Sequence, residues 1–380
     1  MFNILDYIDW RGDLSFSRAG FNQVDNVILS LLSYIDLQGI VPCAGEEGSI
    51  SLEEAERLYA LRHGQEEEEF YFKTAMDVFK KAAKCKRFGT LLLSDYIEEI
   101  DMEKESQFSA LTIDLGRQNY FISFSGTDDT IVGWKENFKM SFVEATESQR
   151  KSVEYLERAG SKISGIFRIG GHSKGGNLAI YASACVKEEI QERIKKIYNN
   201  DGPGFTKKMI DKTMYFKLRP KILSLFPEGS IVGMCLEHEG SILVVKSQKG
   251  KQQHDPINWE VLGASFVNAG ELNESAKLFH KVIRAWMKKM PPEQKEEFVD
   301  AVFQALEEHN ILKVEDLSAL SLDKFFALLK SGSEINQENK DIIGKGVKLF
   351  LDEGSQSIRE KIKEMIENAL SGKRKEENEV

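Results

Sequence analysis

One short stretch of the chain has the residue types and spacing for nucleophilic chemistry: Gly170-Gly171-His172-Ser173-Lys174-Gly175-Gly176. A serine hydroxyl attacks a carbonyl only if a base takes its proton and donors wait for the oxyanion. The G-x-S-x-G pattern from Gly171 to Gly175 suits this. Glycines on either side let a strand and a helix approach closely, and the turn between them pushes the hydroxyl outward. The helix N-terminus then supplies backbone N–H groups and a partial positive charge. The bland alternative is a Gly-rich turn whose serine caps the helix. Ile166 to Ile169 before the motif reads as a strand, and a helix rich in small residues (Ala179, Ala182, Ser183, Ala184) follows, which favours the nucleophile. A phosphate-binding loop is disfavoured, because the G-x-x-x-x-G-K-S/T spacing is absent.

These residues resemble a known family. Gly171-His172-Ser173-x-Gly175-Gly176 with Leu178-Ala179 is similar to the GHSLGG-x-LA signature of class 3 lipases. Phe124-Ser125-Gly126-Thr127, followed by Trp134, is similar to their F-R-G-T/S…W segment. The likeness spans roughly Ser109 to Trp259. The rest of the chain, including Asp9-Trp10-Arg11-Gly12-Asp13, and also the segment Tyr198 to Phe205, resembles an uncharacterised bacterial lipase-like family of the α/β-hydrolase superfamily. The resemblance implies an oxyanion hole made by Thr127 and the Lys174 N–H, with Gly171, His172 and Gly175 shaping the elbow. Lys174 stands where these lipases usually have Leu, and Ser125 where they have Arg. A cationic Lys174 side chain near the site would favour an acidic or polar substrate group. His172 is expected to be structural, its side chain turned away from Ser173.

In the hydrolase fold the base comes last in chain order. Four histidines follow Ser173: His238, His254, His280 and His309. His254 lies on the polar loop Gln252 to Pro256, after the last expected strand, where this fold carries its base. His238 reads as part of a hairpin turn before that strand, and His280 and His309 fall in helical sequence. The acid is expected to be Asp201. It ends the strand after the nucleophile strand, and Asp201-Gly202-Pro203-Gly204-Phe205 resembles the D-P-A-G-P-x-F segment of pancreatic-type lipases, whose aspartate is the triad acid. The alternative is that Asp201 only caps a turn. In class 3 lipases the acid comes from a later segment, where this chain has Ser230, with Glu228 the nearest carboxylate. Asp255 adjoins His254 and is poorly placed to reach its ring.

The elements that must position these groups alternate. A hairpin is expected over Ala110–Leu115 and Tyr120–Phe124, around Gly116 to Asn119. Further strands are expected at Ile166–Ile169, Ile194–Tyr198, Ile222–Phe226 and Ile242–Val245, separated by helices over Glu144–Ala159, Gly175–Glu189 and Lys207–Met214. Such alternation predicts a mostly parallel sheet flanked by helices, an α/β-hydrolase core over residues 109–269. Residues 1–108 read as an N-terminal helical extension, with helices over Phe21–Val41 and Glu46–Phe79, and the acidic run Glu66 to Glu69 as a solvated face. Residues 270–380 read as a helical module in which Pro291-Pro292 breaks one helix before Glu293–Leu306, with a charged disordered tail from Ser371. Asp128 to Phe142 is either a lid over an acyl pocket or a surface helix packed on the sheet.

Composition bounds the rest. The chain has 380 residues, 41 % hydrophobic and 29 % charged, enough for a sizeable core. A net charge of -10 argues against a general nucleic-acid surface. The four cysteines form no CxxC pair, which suits a reduced compartment and offers no metal cage. The beginning of the chain lacks a basic region before an apolar run, and no apolar stretch is long enough to span a bilayer, so the expected location is cytoplasmic. The expectation is therefore a serine hydrolase acting on a small-molecule or lipid carboxylic ester through an acyl-enzyme. Ser173, His254 and Asp201 would carry it, with no cofactor and no metal. A thioesterase or amidase would use the same groups. A non-catalytic hydrolase-fold protein would instead act through a partner, or by self-association, at the helical module.

Overall fold

The computed structural model describes residues 1–64, 73–101, 106–127, 131–140, 143–211, 213–230, 232, 233, 236–248, 252–274, 276, 277, 280, 284 and 292–308. Its centre is an eight-stranded sheet whose strands lie side by side in chain order. They are β1 (Ile50–Ser51), β2 (Leu92–Asp101), β3 (Ser106–Asp114), β4 (Asn119–Phe124), β5 (Ile166–His172), β6 (Ile194–Asn200), β7 (Ile222–Pro227) and β8 (Ser241–Val245). β1 to β4 pair antiparallel, and β4 to β8 pair parallel. This is the α/β-hydrolase architecture: the parallel strands all end on one edge, where the loops after β5, β6 and β8 meet.

The alternation along the strands divides the core in two. In β3, Leu111 and Ile113 face one cluster while Phe108 and Ala110 face the other; in β4, Phe121 is opposed to Ile122 and Phe124. That period of two is what a strand buried on both faces requires. On one side lie α1 (Ile4–Arg11), α2 (Gln23–Leu31), α3 (Leu52–His63) and α4 (Lys73–Ala83), with Val24, Val27, Ile28 and Leu31 against the sheet. On the other lie α6 (Glu147–Lys162) and α7 (Lys174–Cys185), whose Tyr155, Leu156, Leu178 and Ala182 fill the second cluster. α5 (Ile131–Lys139) packs beside β3 on this side. After β5 and β6 come α8 (Glu188–Arg193), α9 (Lys207–Ile210) and α10 (Thr213–Leu218).

The hairpin expected around Gly116 forms, with Gly116, Arg117 and Gln118 all at positive φ and the Leu115 N–H on the Asn119 carbonyl. β1 and β2 come from the segment read as a helical extension. The register of β2 shifts between Ser94 and Ile97, so its sequence never shows a clean alternation. The segment Glu237 to Gly240 is not the hairpin turn expected around His238. β7 and β8 run parallel, with Leu223 opposite Ser241, so it is part of a crossover. α11 (Pro292–Glu308) starts where the Pro291-Pro292 break was expected and packs on α5, with Phe303 edge-on to Phe138 at 6.0 Å and Lys135 Nζ on Asp300 at 2.9 Å. Of the stretch Asp128 to Phe142, α5 is thus a helix packed between the sheet and α11, and residues 128–130, 141 and 142 lie outside the described residues. The acidic run Glu66 to Glu69 and residues 309–380, with His309 and the tail from Ser371, lie outside the described residues.

Candidate active site

Ser173 sits at the turn from β5 into α7 with φ 55° and ψ -132°, a conformation that L-residues rarely adopt. Its side chain makes no hydrogen bond to the helix it precedes, so it is not a capping serine. The turn is this tight because neither flanking glycine has room for a side chain. A Cβ on Gly171 would overlap the Gly175 backbone and the Phe124 carbonyl, and one on Gly175 would overlap Phe124 and Ser125. The Ser173 N–H is held on the Asn200 carbonyl at 2.9 Å, which locks the elbow to the end of β6.

One residue further along, Asp201 leaves β6, also in the left-handed region with φ 55°. Its N–H bonds the Leu225 carbonyl at 2.9 Å, and its side chain is fully buried. Oδ2 lies 2.7 Å from Nδ1 of His254, and Oδ1 accepts from the Ser230 hydroxyl. Burial pushes the Asp201 carboxyl up, while hydrogen bonds from His254, Ser230 and the Gly233 N–H favour its ionised form. The structure thus brings His254 and Asp201 together as expected. Ser230, at the position where the acid was missing, donates to that acid instead. Asp255 points elsewhere: it accepts from Thr74 Oγ1 at 2.8 Å and from the Ile257 N–H at 3.1 Å. Burial raises its pKa to about 6. His238 packs its ring against Phe226, 4.8 Å between centroids.

His254 is tied to the elbow by His172. The two rings lie 4.5 Å apart between centroids, and His172 Nε2 is 2.9 Å from the His254 carbonyl oxygen. A carbonyl only accepts, so His172 carries its proton on Nε2. Nδ1 then accepts from the Tyr34 hydroxyl at 3.0 Å. Burial, and then the neighbouring His254, hold His172 well below the usual histidine range, which keeps it neutral. The expected structural role of His172 therefore has a geometry.

The two expected oxyanion donors flank the turn. Lys174 is the first residue of α7, so its N–H has no partner within the helix. Thr127 is buried just past β4, with its Oγ1 accepting from Asn137 Nδ2 at 2.6 Å. The Lys174 side chain, however, is not beside a substrate group. It is 1 % exposed and runs inward to Gln107 and to Glu136 Oε2, 3.1 Å away. A buried ammonium needs such a partner, which rules out the expected role of this side chain in selecting an acidic or polar substrate.

Sequence reasoning missed the residues that buttress these groups. Asn26 on α2 bonds Asn200 (Nδ2 to Oδ1, 2.7 Å), Ser30 accepts from Asn200 at 3.1 Å, and Tyr34 and Thr74 hold His172 and Asp255. The signal was there in part: Asn26, Ser30 and Ser33 interrupt an apolar helical stretch, and buried polar groups need partners. Among the described residues no group of three or more His, Cys, Asp or Glu side chains could hold a metal ion. Among them, too, no helix is long and apolar enough to cross a membrane.

The model of the Mbeg1-like family, a lipase-like family, matches residues 82–304. No curated protein matches the chain. Among solved structures, the crystal structure of M37 lipase is similar at 14 % sequence identity and a TM-score of 0.35, covering 55 % of this chain and 68 % of that one.

Proposed function

We propose that this chain, which belongs to the Mbeg1-like family, is a serine hydrolase that cleaves a carboxylic ester through an acyl-enzyme. The observation that carries the reading is the Asp201–His254 hydrogen bond of 2.7 Å, on a loop tied through His172 to the elbow where Ser173 makes no capping hydrogen bond to α7. With Asp201 accepting from Nδ1, His254 is fixed in the tautomer whose Nε2 lone pair is free to act as base. Ser173 Oγ adds to the ester carbonyl carbon as its proton moves to His254 Nε2. The carbonyl electron pair goes to oxygen, where the N–H groups of Lys174 and Thr127 stabilise it. Collapse re-forms the carbonyl and breaks the bond to the alkoxy group, which leaves with the proton from Nε2. Water repeats the sequence on the acyl-enzyme: its proton goes to His254, its oxygen to the acyl carbon, and Ser173 regains its hydrogen as the acid departs. Asp201 faces the imidazolium in both halves. Thioester or amide cleavage would use the same steps, so the leaving group is set by assay.

The test is labelling with a fluorophosphonate, followed by a panel of p-nitrophenyl esters of graded chain length. The intact protein should be labelled and Ser173→Ala should not. Equal labelling of the two would place the nucleophile elsewhere. A folded protein that neither labels nor hydrolyses any ester would favour a non-catalytic role in a partner complex.

A further inference from the structure

Lys174 and Glu136 form a buried ion pair directly beneath the elbow. Both side chains are 2 % exposed or less, and they lie 3.1 Å apart. Lys174 Nζ also bonds the Gln107 carbonyl, and Gln107 Oε1 at 3.0 Å, on β3. The Glu136 carboxylate accepts from the Ser148 N–H at 2.8 Å and the Ser148 hydroxyl at 2.7 Å, at the start of α6. Burial works against the Glu136 charge, but Lys174 and Ser148 outweigh it and hold the carboxyl below its usual value. The next residue on α5, Asn137, bonds Thr127 Oγ1 at 2.6 Å. Consecutive side chains of one helix thus grip the two segments that would supply the oxyanion donors: residue 136 through the Lys174 side chain, residue 137 through Thr127.

We propose that Glu136 is a positioning residue, which through its ion pair with Lys174 fixes the distance between the two arms of the oxyanion hole. This rests on the hydrolase reading above. A buried ion pair is weak evidence for stability, since removing both charges together is often neutral. What the pair adds is a fixed point. Lys174 is the first residue of α7, and a tethered side chain restricts how its N–H can tilt. Because the oxyanion is absent from the bound ester and forms only on the way through the tetrahedral intermediate, loosening the hole lowers kcat and leaves KM nearly unchanged.

The experiment removes both charges at once, Lys174→Met with Glu136→Gln, so that no unpaired charge is buried. Wild type is first shown to label with a fluorophosphonate and to hydrolyse an ester. Failure there refutes the hydrolase reading, and this proposal with it, before any variant is made. The double variant should keep its melting temperature and lose about 10- to 100-fold in kcat, the scale expected of a misplaced catalytic group, with KM within about twofold. A double variant with wild-type kcat overturns the proposal: the pair is then structural only. So does a loss shared equally by kcat and the melting temperature that additional stabilising salt restores. If the double variant does not fold, Lys174→Met alone serves, since Glu136 can take up a proton there. The same kcat-only loss is expected, and wild-type kcat in this folded variant is again the overturning result.

Discussion

Replacing Asp201 by Asn should leave the protein folded and lower kcat by about 10⁴-fold. The shape is kept, and the backbone at this position has φ 55°, a region that Asn occupies more readily than most residues. The new amide oxygen would still accept from Ser230. Its NH₂ would then face His254 Nδ1, now 2.7 Å from a carboxylate oxygen. Two donors cannot share a hydrogen bond, so the ring must move its proton to Nε2. That is the nitrogen that has to be free when Ser173 is deprotonated. The lost charge adds to the wrong tautomer. A carboxylate about 4 Å from an imidazolium, at an effective dielectric of about 20, stabilises it by about 4 kcal/mol. A factor of 10⁴ is about 5.4 kcal/mol, so the charge supplies most of the effect and the tautomer the remainder. The assay is steady-state kcat on the best p-nitrophenyl ester, with circular dichroism to show that the variant folds. Glu228→Gln is the control and should be nearly normal. A folded Asp201→Asn that keeps more than about a tenth of wild-type kcat would refute the reasoning. Loss in Glu228→Gln instead would move the acid to the loop after β7.

His254→Ala should lose several orders of magnitude in kcat, and His238→Ala, whose ring rests on Phe226, should stay within a few-fold of wild type; the opposite order in the same assay would exchange their roles. Tyr34→Phe removes the hydroxyl that holds His172 Nδ1, and should lower kcat about tenfold and reduce the melting temperature, at a cost of about 1–2 kcal/mol; no change in either would show that this hydrogen bond supports nothing. Asp255 has a folded-state pKa of about 6, above its ordinary 3.8, so the folded state holds its proton more tightly. The stability this confers is full below the lower value and is lost as pH rises through the upper one. Asp255→Asn escapes that loss, so its melting temperature relative to wild type should climb between pH 4 and pH 7; a constant difference across that range would contradict the shift.

The elbow was legible because its constraint is local. Gly171 and Gly175 are forced by backbone passing within one side chain's width, and such contacts leave a short, fixed spacing in the sequence. Asp201 was legible for another reason: strand and helix periods located the end of β6, and hence which carboxylate emerges at the loop edge. The destination of the Lys174 side chain was not legible. Its partners Gln107 and Glu136 lie on β3 and α5, far away in sequence, and no local pattern records a buried ion pair. β2 was missed because its register shift breaks the alternation by which strands are read. The crossover holding His238 was misread as a hairpin, since parallel pairing is a non-local choice that turn residues do not announce.

The buttress from the first eighty residues also bears on how the protein is made. Asn26 bonds Asn200 across 174 positions of sequence, and Thr74 bonds Asp255 across 181. A chain leaving the ribosome at about 5–20 residues per second exposes α2 roughly ten seconds or more before its partner on β6 exists. Until then Asn26 has no Asn200 to bond, although the apolar face of α2 can already pack on α4, β4 and β5. Contacts this distant in sequence make folding slow, because loop closure must precede the contacts that reward it. His254, the proposed base, lies on the loop after β8 and is synthesised after Thr127, Ser173, Lys174 and Asp201. On the proposed reading the site lacks its base until residue 254 is made, so nascent chains stalled before it should be catalytically silent.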